Sequence, residues 1–555
     1  MAGIGVRLNR IYNKNTITTN IIGFGYSTAL TIAPMFLVIV AVIAMQLILG
    51  YSSLDYFNRE LYACTILYVT VFALISSSPF NAVLSKYMSD VIYEERYEDI
   101  LPCYYMGLLM NSAFSTLIGI PFCIWELYVG EVPVLFVFIG YLGYIAMVFV
   151  FYSMLYLAIC KDYGKISLFF VIGMAFAILF SMLLRFVFGV DIVYSMLIGL
   201  DVGFIMIAIL EYALVRSYFR NNSGHYHEVL DYFRQYKRLV IANFLYSFGM
   251  FIHNFVFWAS DMHMVVADSF VSMPAYDFAA FAAMFTNISA SVILISRMEM
   301  NFHDRYKKYS EAVIGGRRMD IQMAKKRMFS QLEAEVMNLV RIQFIVSVVL
   351  YLLCVIFMPQ FGFGGLIMQI YPCLAVGYFI LFLMYALMIF LYYFSDFTGA
   401  VITAAVFTLS TLLGTCISVN FEPIWYGAGL IFGSFMGWTT GYFRLRYIEK
   451  NLDIHVFCNG SILEKGEGRM PGNVVYDRDS SAHAGKNSAN DKVYSKKHRF
   501  NNTDDADVSE ENDLVGIAAG AGKSSAVNAE ENGADASLFI GKATEGSPEK
   551  TTESR

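Results

Sequence analysis

Long apolar runs alternate with short polar breaks along the first 450 residues of the chain. The runs cover roughly 28–50, 61–80, 101–124, 133–160, 166–188, 192–215, 239–260, 276–296, 340–360, 371–394, 399–419 and 424–443. A helix needs about 20 apolar residues to cross a hydrocarbon core about 30 Å thick. Unpaired backbone groups are not tolerated there, so each run is predicted as a helix. The first run is too long for a signal h-region and lacks a small-residue cleavage site, so it is expected to stay as an anchor. The pattern predicts an all-α polytopic membrane protein with about twelve spans.

The breaks alternate in charge. Basic residues fall in the N-terminal segment (Arg7, Arg10, Lys14), the fourth break (Lys161, Lys165), the sixth (Arg216, Arg220, Arg234, Lys237, Arg238), the eighth (Arg305 to Arg327) and after the last span (Arg444, Arg446, Lys450). The breaks at about 125–132, 261–275, 361–370 and 420–423 hold no Lys or Arg. The positive-inside rule then places the even-numbered breaks and both termini in the cytoplasm. The second break is the weakest, with Lys86 and Arg96 outnumbered by acidic residues.

The chain reads as a duplication. Residues 1–218 and 225–447 each open on a basic segment and hold six spans. Ser85-Lys86 with Glu95-Arg96-Tyr97 is echoed by Ser296-Arg297 with Asp304-Arg305-Tyr306. Two six-helix bundles repeated in parallel are expected. In the eighth break Ile321, Ala324, Met328, Leu332 and Val336 recur at helical spacing beside Lys325, Lys326 and Arg327. Two readings stand: an amphipathic helix on the cytoplasmic membrane face, or a cytoplasmic extension of the ninth span. Tyr226, Val229, Leu230, Phe233 and Tyr236 make a shorter amphipathic stretch. Residues 459–555 are rich in Ser, Asn, Gly, Asp and Glu, and are expected to form a disordered polar cytoplasmic tail.

Composition agrees. The 555 residues are 57% hydrophobic with mean hydropathy +0.55, which excludes an ordinary soluble enzyme. The net charge of -6 is spread too unevenly to indicate a partner. The eight Cys lie in or beside apolar runs without a CxxC pair and read as packing residues. No P-loop, HExxH or nucleophile elbow is present. A non-enzyme without cofactor, metal or nucleic-acid partner is expected.

Polar residues inside spans are costly and tend to face cavities. Arg185 and Asp201, both in outer halves of their spans, would pair or line a path. Glu211 lies nearer the cytoplasmic end and is expected to reach interfacial water. Asn243 and Asn254 stand nearly three turns apart on one face. His253 is either a packing residue or a proton carrier. Asp277, after Tyr276, would cap its helix, with Asn287 ten residues deeper. Asp396 sits in a tight turn. Tyr246, Trp258, Tyr276, Tyr392 and Tyr393 would stack on sugars or cations, or form the interfacial aromatic belt, which is the default. Arg317, Arg318, Lys325, Lys326 and Arg327 would meet a cytoplasmic partner or acidic lipid.

Twelve spans in two halves, with both ends cytoplasmic, resemble the multidrug/oligosaccharidyl-lipid/polysaccharide exporter superfamily. Shorter stretches are similar to PelG-like proteins. They are Met1-Ala2-Gly3-Ile4-Gly5, Gly25-Tyr26 with Pro34, Ser89-Asp90-Val91-Ile92-Tyr93, Leu245 to His253 with Phe257-Trp258, Pro274-Ala275-Tyr276-Asp277 with Phe281, Glu299 with Phe302 and Tyr306, and Tyr392-Tyr393 with Asp396. The family pattern is often acidic where His253 stands. The resemblance implies export of a Pel-type polysaccharide, rich in N-acetylgalactosamine and galactosamine, across the bacterial plasma membrane. It also implies a cytoplasmic glycosyltransferase and membrane partners, one sensing cyclic di-GMP. Two alternatives stay open: a proton- or sodium-coupled exporter of drugs or lipid-linked oligosaccharides, and a non-transporting scaffold of a synthase complex.

Overall fold

The computed structural model describes residues 17–94, 96–159 and 163–454. All lie in one compact unit, residues 1–469. The N-terminal basic residues and the polar segment 459–555 fall outside the described residues.

Among the described residues the chain forms thirteen α-helices. They are α1 (Ile17–Leu49), α2 (Tyr56–Tyr93), α3 (Ile100–Tyr128), α4 (Val134–Ile159), α5 (Tyr163–Phe186), α6 (Ile192–Tyr218), α7 (Tyr226–Gln235), α8 (Lys237–Trp258), α9 (Pro274–Gly315), α10 (Arg318–Phe357), α11 (Leu366–Tyr393), α12 (Phe397–Ser418) and α13 (Ala428–Ile454). Twelve are long, each overlaying one apolar run; α7 is the short amphipathic stretch, with Val229 and Phe233 buried. Nine described helices are long and apolar enough to cross a membrane. α3, α5, α10 and α12 turn large apolar side chains outward, among them Leu117, Leu179, Val349 and Leu413. Such a surface suits lipid rather than water.

The packing order repeats. In the first six helices α1 packs on α5, α5 on α6, α4 on α6, α2 on α4, and α3 on both α2 and α4. In the last six α8 packs on α12, α12 on α13, α11 on α13, α9 on α11, and α10 on both α9 and α11. Each pair maps onto its counterpart seven labels later, because α7 intervenes. The cross-contacts follow the same exchange: α2 meets α8, and α9 meets α1.

α12 and α13 approach closely because small residues line the seam. Gly429, Gly433, Gly437 and Gly441 recur every fourth residue, one stripe of a helix. A Cβ at Gly433 would lie 2.6 Å from the Thr411 backbone nitrogen, and one at Gly429 2.4 Å from that of Thr415. Lipid supplies no hydrophobic drive between helices, so such close packing is what holds them.

In α2, Pro79 has no N–H for the Ile75 carbonyl. The Ser78 hydroxyl takes that place, donating to Ile75 O at 3.0 Å.

Two features depart from the sequence pattern. The polar break after α8 contains a hairpin, Met264–Val266 (β1) antiparallel to Phe270–Ser272 (β2). Tyr68 of α2 pins it: its hydroxyl donates to the Val271 carbonyl (2.8 Å) and accepts from the Val271 N–H (3.0 Å). The eighth break is no helix lying on a membrane face. α9 continues through it to Gly315 and α10 begins at Arg318, so the extension reading holds. The apolar stripe is used inside the protein, with Met328 and Leu332 buried in a core with Phe302, Tyr309, Phe390 and Ile448.

Candidate functional site

The apolar pattern that makes α8 a helix also commits its few polar side chains to partners on neighbouring helices. Asn254 and Trp258, four residues apart, share one face. The Asn254 amide donates to Asp277 Oδ1 at 2.7 Å, and the Trp258 indole N–H reaches both carboxylate oxygens at 2.9 Å. Asp277 lies in the first turn of α9 behind Pro274, and its Oδ2 accepts the Met273 N–H at 3.0 Å. It is not the N-cap of α9, which is Met273, but holds that residue's N–H from inside the first turn and clamps α8 to α9. His253 points another way. Its Nδ1 lies 2.9 Å from the Tyr276 hydroxyl and its Nε2 3.3 Å from that of Tyr378 on α11. His253, Asn254, Tyr276 and Asp277 are all buried.

The asparagines join helices rather than one pocket. Asn243 donates to the Ser78 carbonyl of α2 at 2.9 Å, bridging the first six helices to the last six. Asn287 donates to Ala375 O of α11 at 3.2 Å and accepts from Ser347 of α10 at 2.6 Å. The belt reading fails for three of the rings. Tyr246, Trp258 and Tyr276 are buried among other rings, Trp258 lying flat on Tyr68 (4.9 Å, 7°) and Phe257 stacking on Tyr276 (3.9 Å).

Asp201 and Arg185 do not pair. Arg185 ends α5 and donates to the Val190 carbonyl at 3.2 Å. Asp201, nine residues into α6, lines a cavity of about 40 Å³ between α1, α2, α4 and α6, with Val42, Thr65 and Leu200. Its Oδ2 has no hydrogen-bond partner. Only a glycine fits opposite, since a Cβ at Gly143 would stand 2.3 Å from Asp201 Oδ1. Glu211 does not reach water. It is fully buried and both carboxylate oxygens lack partners. Sequence position placed it near the helix end, but packing of α6 inside the first six helices covers it.

Beyond the spans, Asp90, Glu94 and Asp99 of the second break have partners, Asp90 pairing with Lys86 at 3.0 Å. Arg96 pairs with Glu94 (2.7 Å), Asp99 (2.5 Å) and Glu228 of α7 (3.0 Å). Ser223 also donates to Asp99, and His225 Nδ1 lies 3.0 Å from it. Burial raises the Asp99 carboxyl, but the Ser223 and His225 hydrogen bonds and the Arg96 charge outweigh it and hold the group below its usual range. Asp99, His225 and Glu228 have metal-ligand spacing. The Arg96 guanidinium already neutralises both carboxylates, so the set fits an ion-pair node better than a metal centre. Asp396 is more than a turn former. It caps α12 by accepting the Gly399 N–H and pairs with Arg444 of α13 at 2.5 and 3.1 Å. Arg317, Arg318, Lys326 and Arg327 are exposed around the α9–α10 turn, and Lys325 is half-buried.

Nine described helices long and apolar enough to cross a membrane, packed in a repeated order, make this a multi-pass membrane protein. The chain has the fold of the MATE transporters of the MOP superfamily. It is similar to an outward-facing multidrug resistance MATE transporter (14% identity, TM-score 0.52, covering 77% of this chain and 95% of that one). It is also similar to the eukaryotic MATE transporter AtDTX14 (13% identity, TM-score 0.50, covering 80% and 96%). No curated protein matches. Residues 1–457 match the PelG exopolysaccharide exporter (EPS-E) model, and the chain belongs to that family. Family and fold together support a polysaccharide transporter rather than an enzyme.

Proposed function

We propose that this protein exports a Pel-type polysaccharide, rich in N-acetylgalactosamine and galactosamine, across the bacterial plasma membrane. The polymer passes between two bundles, residues 1–218 and 225–447, with both termini cytoplasmic. The observation that carries this reading is the duplicated packing order, with its exchanged contacts α2–α8 and α9–α1, in a chain of the exopolysaccharide exporter family. Hydroxyl-rich cargo needs polar groups along its route. Asn243 at the α2–α8 contact and Asp201 in its cavity supply them, with Arg185 near the outer end, while the Asn254–Asp277, His253–Tyr276 and Asn287 nodes hold the helices that flank the route. A cytoplasmic glycosyltransferase delivers the chain, beside membrane partners of which one senses cyclic di-GMP. Arg317, Arg318, Lys325, Lys326 and Arg327 form the docking surface for the synthase or for acidic lipid headgroups.

The test is secreted amino-sugar polymer from cells with and without this gene, scored with a galactosamine-specific lectin. Complementation uses the chain cut at residue 458. Loss of polymer restored by the shortened chain is expected; unchanged polymer overturns the reading.

One observation favours the second reading, an ion-coupled exporter: Asp201 is buried with a carboxylate oxygen unpartnered. A group of that kind can exchange a proton or cation during transport. Asp201→Asn is then expected to cut export at unchanged membrane abundance. Normal export by that variant removes Asp201 from the path.

A further inference from the structure

The β1–β2 hairpin belongs to the last six helices by sequence and to the first six by contact. Residues 259–263 join it to α8, and Met273 joins it to α9. Trp258 at the end of α8 bonds Asp277 in the first turn of α9, so both ends of the hairpin are tied to that helix pair. Its body lies on α2 and on the α3–α4 turn. The Tyr68 hydroxyl holds both polar groups of Val271 (2.8 and 3.0 Å). Tyr56 donates to Met264 Sδ at 3.2 Å, and Ser272 Oγ stands 3.5 Å from Cys64 Sγ. Phe270 sits edge-on to Tyr68 and to Phe122 of α3 (5.0 and 5.5 Å). Gly130 lets the α3–α4 turn close on the hairpin tip. A Cβ there would stand 2.8 Å from Ala267 O and 2.5 Å from Ser269 Oγ.

The hairpin is poorly built to stand alone. Its three-residue strands are too short for an independent hairpin. Ala267 and Asp268 hold φ of 49° and 46°, the left-handed region, which an alanine enters at a cost. Ser269 Oγ is buried without a hydrogen-bond partner. Both features raise the free energy of the docked form. The contacts with the first six helices offset them, so the hairpin keeps its shape only while it stays docked. The breaks at 125–132 and 261–275 carry no basic residue and are predicted to face outward. Docking therefore joins the two sets of helices at the outward end of the α2–α8 contact, where Tyr68 lies flat on Trp258.

We propose that the hairpin is an outer strap, which closes the outward end of the α2–α8 contact by docking on Tyr68 and lets go when the two sets of helices part. As a step in export this rests on the transport reading above.

Cys64 is a native reporter, 3% exposed, with Ser272 of the hairpin against it. The full chain in nanodiscs is treated with N-ethylmaleimide, and modification of each cysteine is followed by peptide mass spectrometry. Tyr68→Phe removes both Val271 bonds and keeps the ring, so Cys64 is expected to label about tenfold faster than in the parent. Gly130→Ala, which wedges the α3–α4 turn off the hairpin tip, is expected to act in the same direction. Cys103, fully buried among the first six helices, should stay unlabelled throughout. Unchanged Cys64 labelling in both variants would show a static brace and overturn the strap. Cys103 rising in step with Cys64 would show general loosening and overturn it as well. Ser272→Cys then sets a second thiol beside Cys64. Oxidation to the disulfide is expected to stop polymer secretion, and reduction to restore it. Continued secretion by a fully cross-linked chain overturns the strap. A parent chain that secretes no polymer rejects the export reading instead, and the labelling alone then decides the strap.

Discussion

Replacing Asp277 with alanine strands the Asn254 amide, the Trp258 indole N–H and the Met273 N–H together. A buried donor left without a partner costs about 1–3 kcal/mol. Water or a neighbour can rescue some of them, so Asp277→Ala is expected to lower stability by roughly 3 kcal/mol. Trp258→Phe removes one donor along with its need and should cost much less. Thermal unfolding of both variants in one detergent decides the order, and equal losses would show that the clamp is not cooperative. Asp99 gives a pH prediction. Its carboxyl titrates lower in the folded chain than in the unfolded one. The contribution is therefore complete above the unfolded value of about 3.9 and fades as pH falls through the folded value. Hydrogen-exchange protection in the 219–228 linker, corrected for the intrinsic pH dependence of exchange, should fall below about pH 4 in the native chain. Asp99→Asn should lower that protection at neutral pH and flatten its acid dependence. Of these residues, the sequence showed which polar groups sit in apolar surroundings, and the place of Asp277 in the first turn of α9 could be read locally. Which donors meet Asp277 could not, because nothing in the sequence sets Trp258 of α8 against the first turn of α9.

Glycine spacing sets how closely α12 and α13 pack, and it offers an internal control. Gly433→Ala places a Cβ 2.6 Å from the Thr411 backbone nitrogen, and backbone cannot swing aside. Gly441→Ala meets nothing nearer than 3.4 Å, at the Thr403 methyl. Overpacking costs about 1–3 kcal/mol, so Gly433→Ala is expected to lose that much while Gly441→Ala stays near the parent. Size-exclusion profiles after a heating series compare the two, and equal melting would mean that the seam has slack. Helix existence was legible throughout, because run length against bilayer thickness is a strong constraint. Helix ends were not. α2, α9 and α10 extend well past their apolar runs, α2 to Tyr93, α9 to Gly315 and α10 back to Arg318, since α9 and α10 pack on each other and on α11 where hydropathy no longer marks a span. The β1–β2 hairpin carries no strong alternation over its three-residue strands and is fixed by Tyr68, a residue some 200 positions away.

At the scale of the whole molecule the question is whether the two sets of helices move apart. The helix packing order repeats between α1–α6 and α8–α13. The exchanged contacts could not be read from the sequence, since nothing local in α2 names α8 as its neighbour. Asn243 reaches the Ser78 carbonyl with its short side chain alone, so the two helices run close at that point. Transport between two bundles requires such a contact to open during the cycle, whereas a scaffold or a static conduit leaves it closed. Cysteines at both positions, oxidised with copper phenanthroline, would tether α2 to α8; Ser78→Cys and Asn243→Cys alone control for the native cysteines. A protease site placed in the 219–225 linker reports the tether, because a cleaved chain then stays in one piece until reduced. Polymer secretion is expected to stop on oxidation in the double variant only and to return with reductant. Continued secretion by a fully tethered chain would show that the α2–α8 contact stays shut throughout, and would move the path away from Asn243 toward the interior of one bundle.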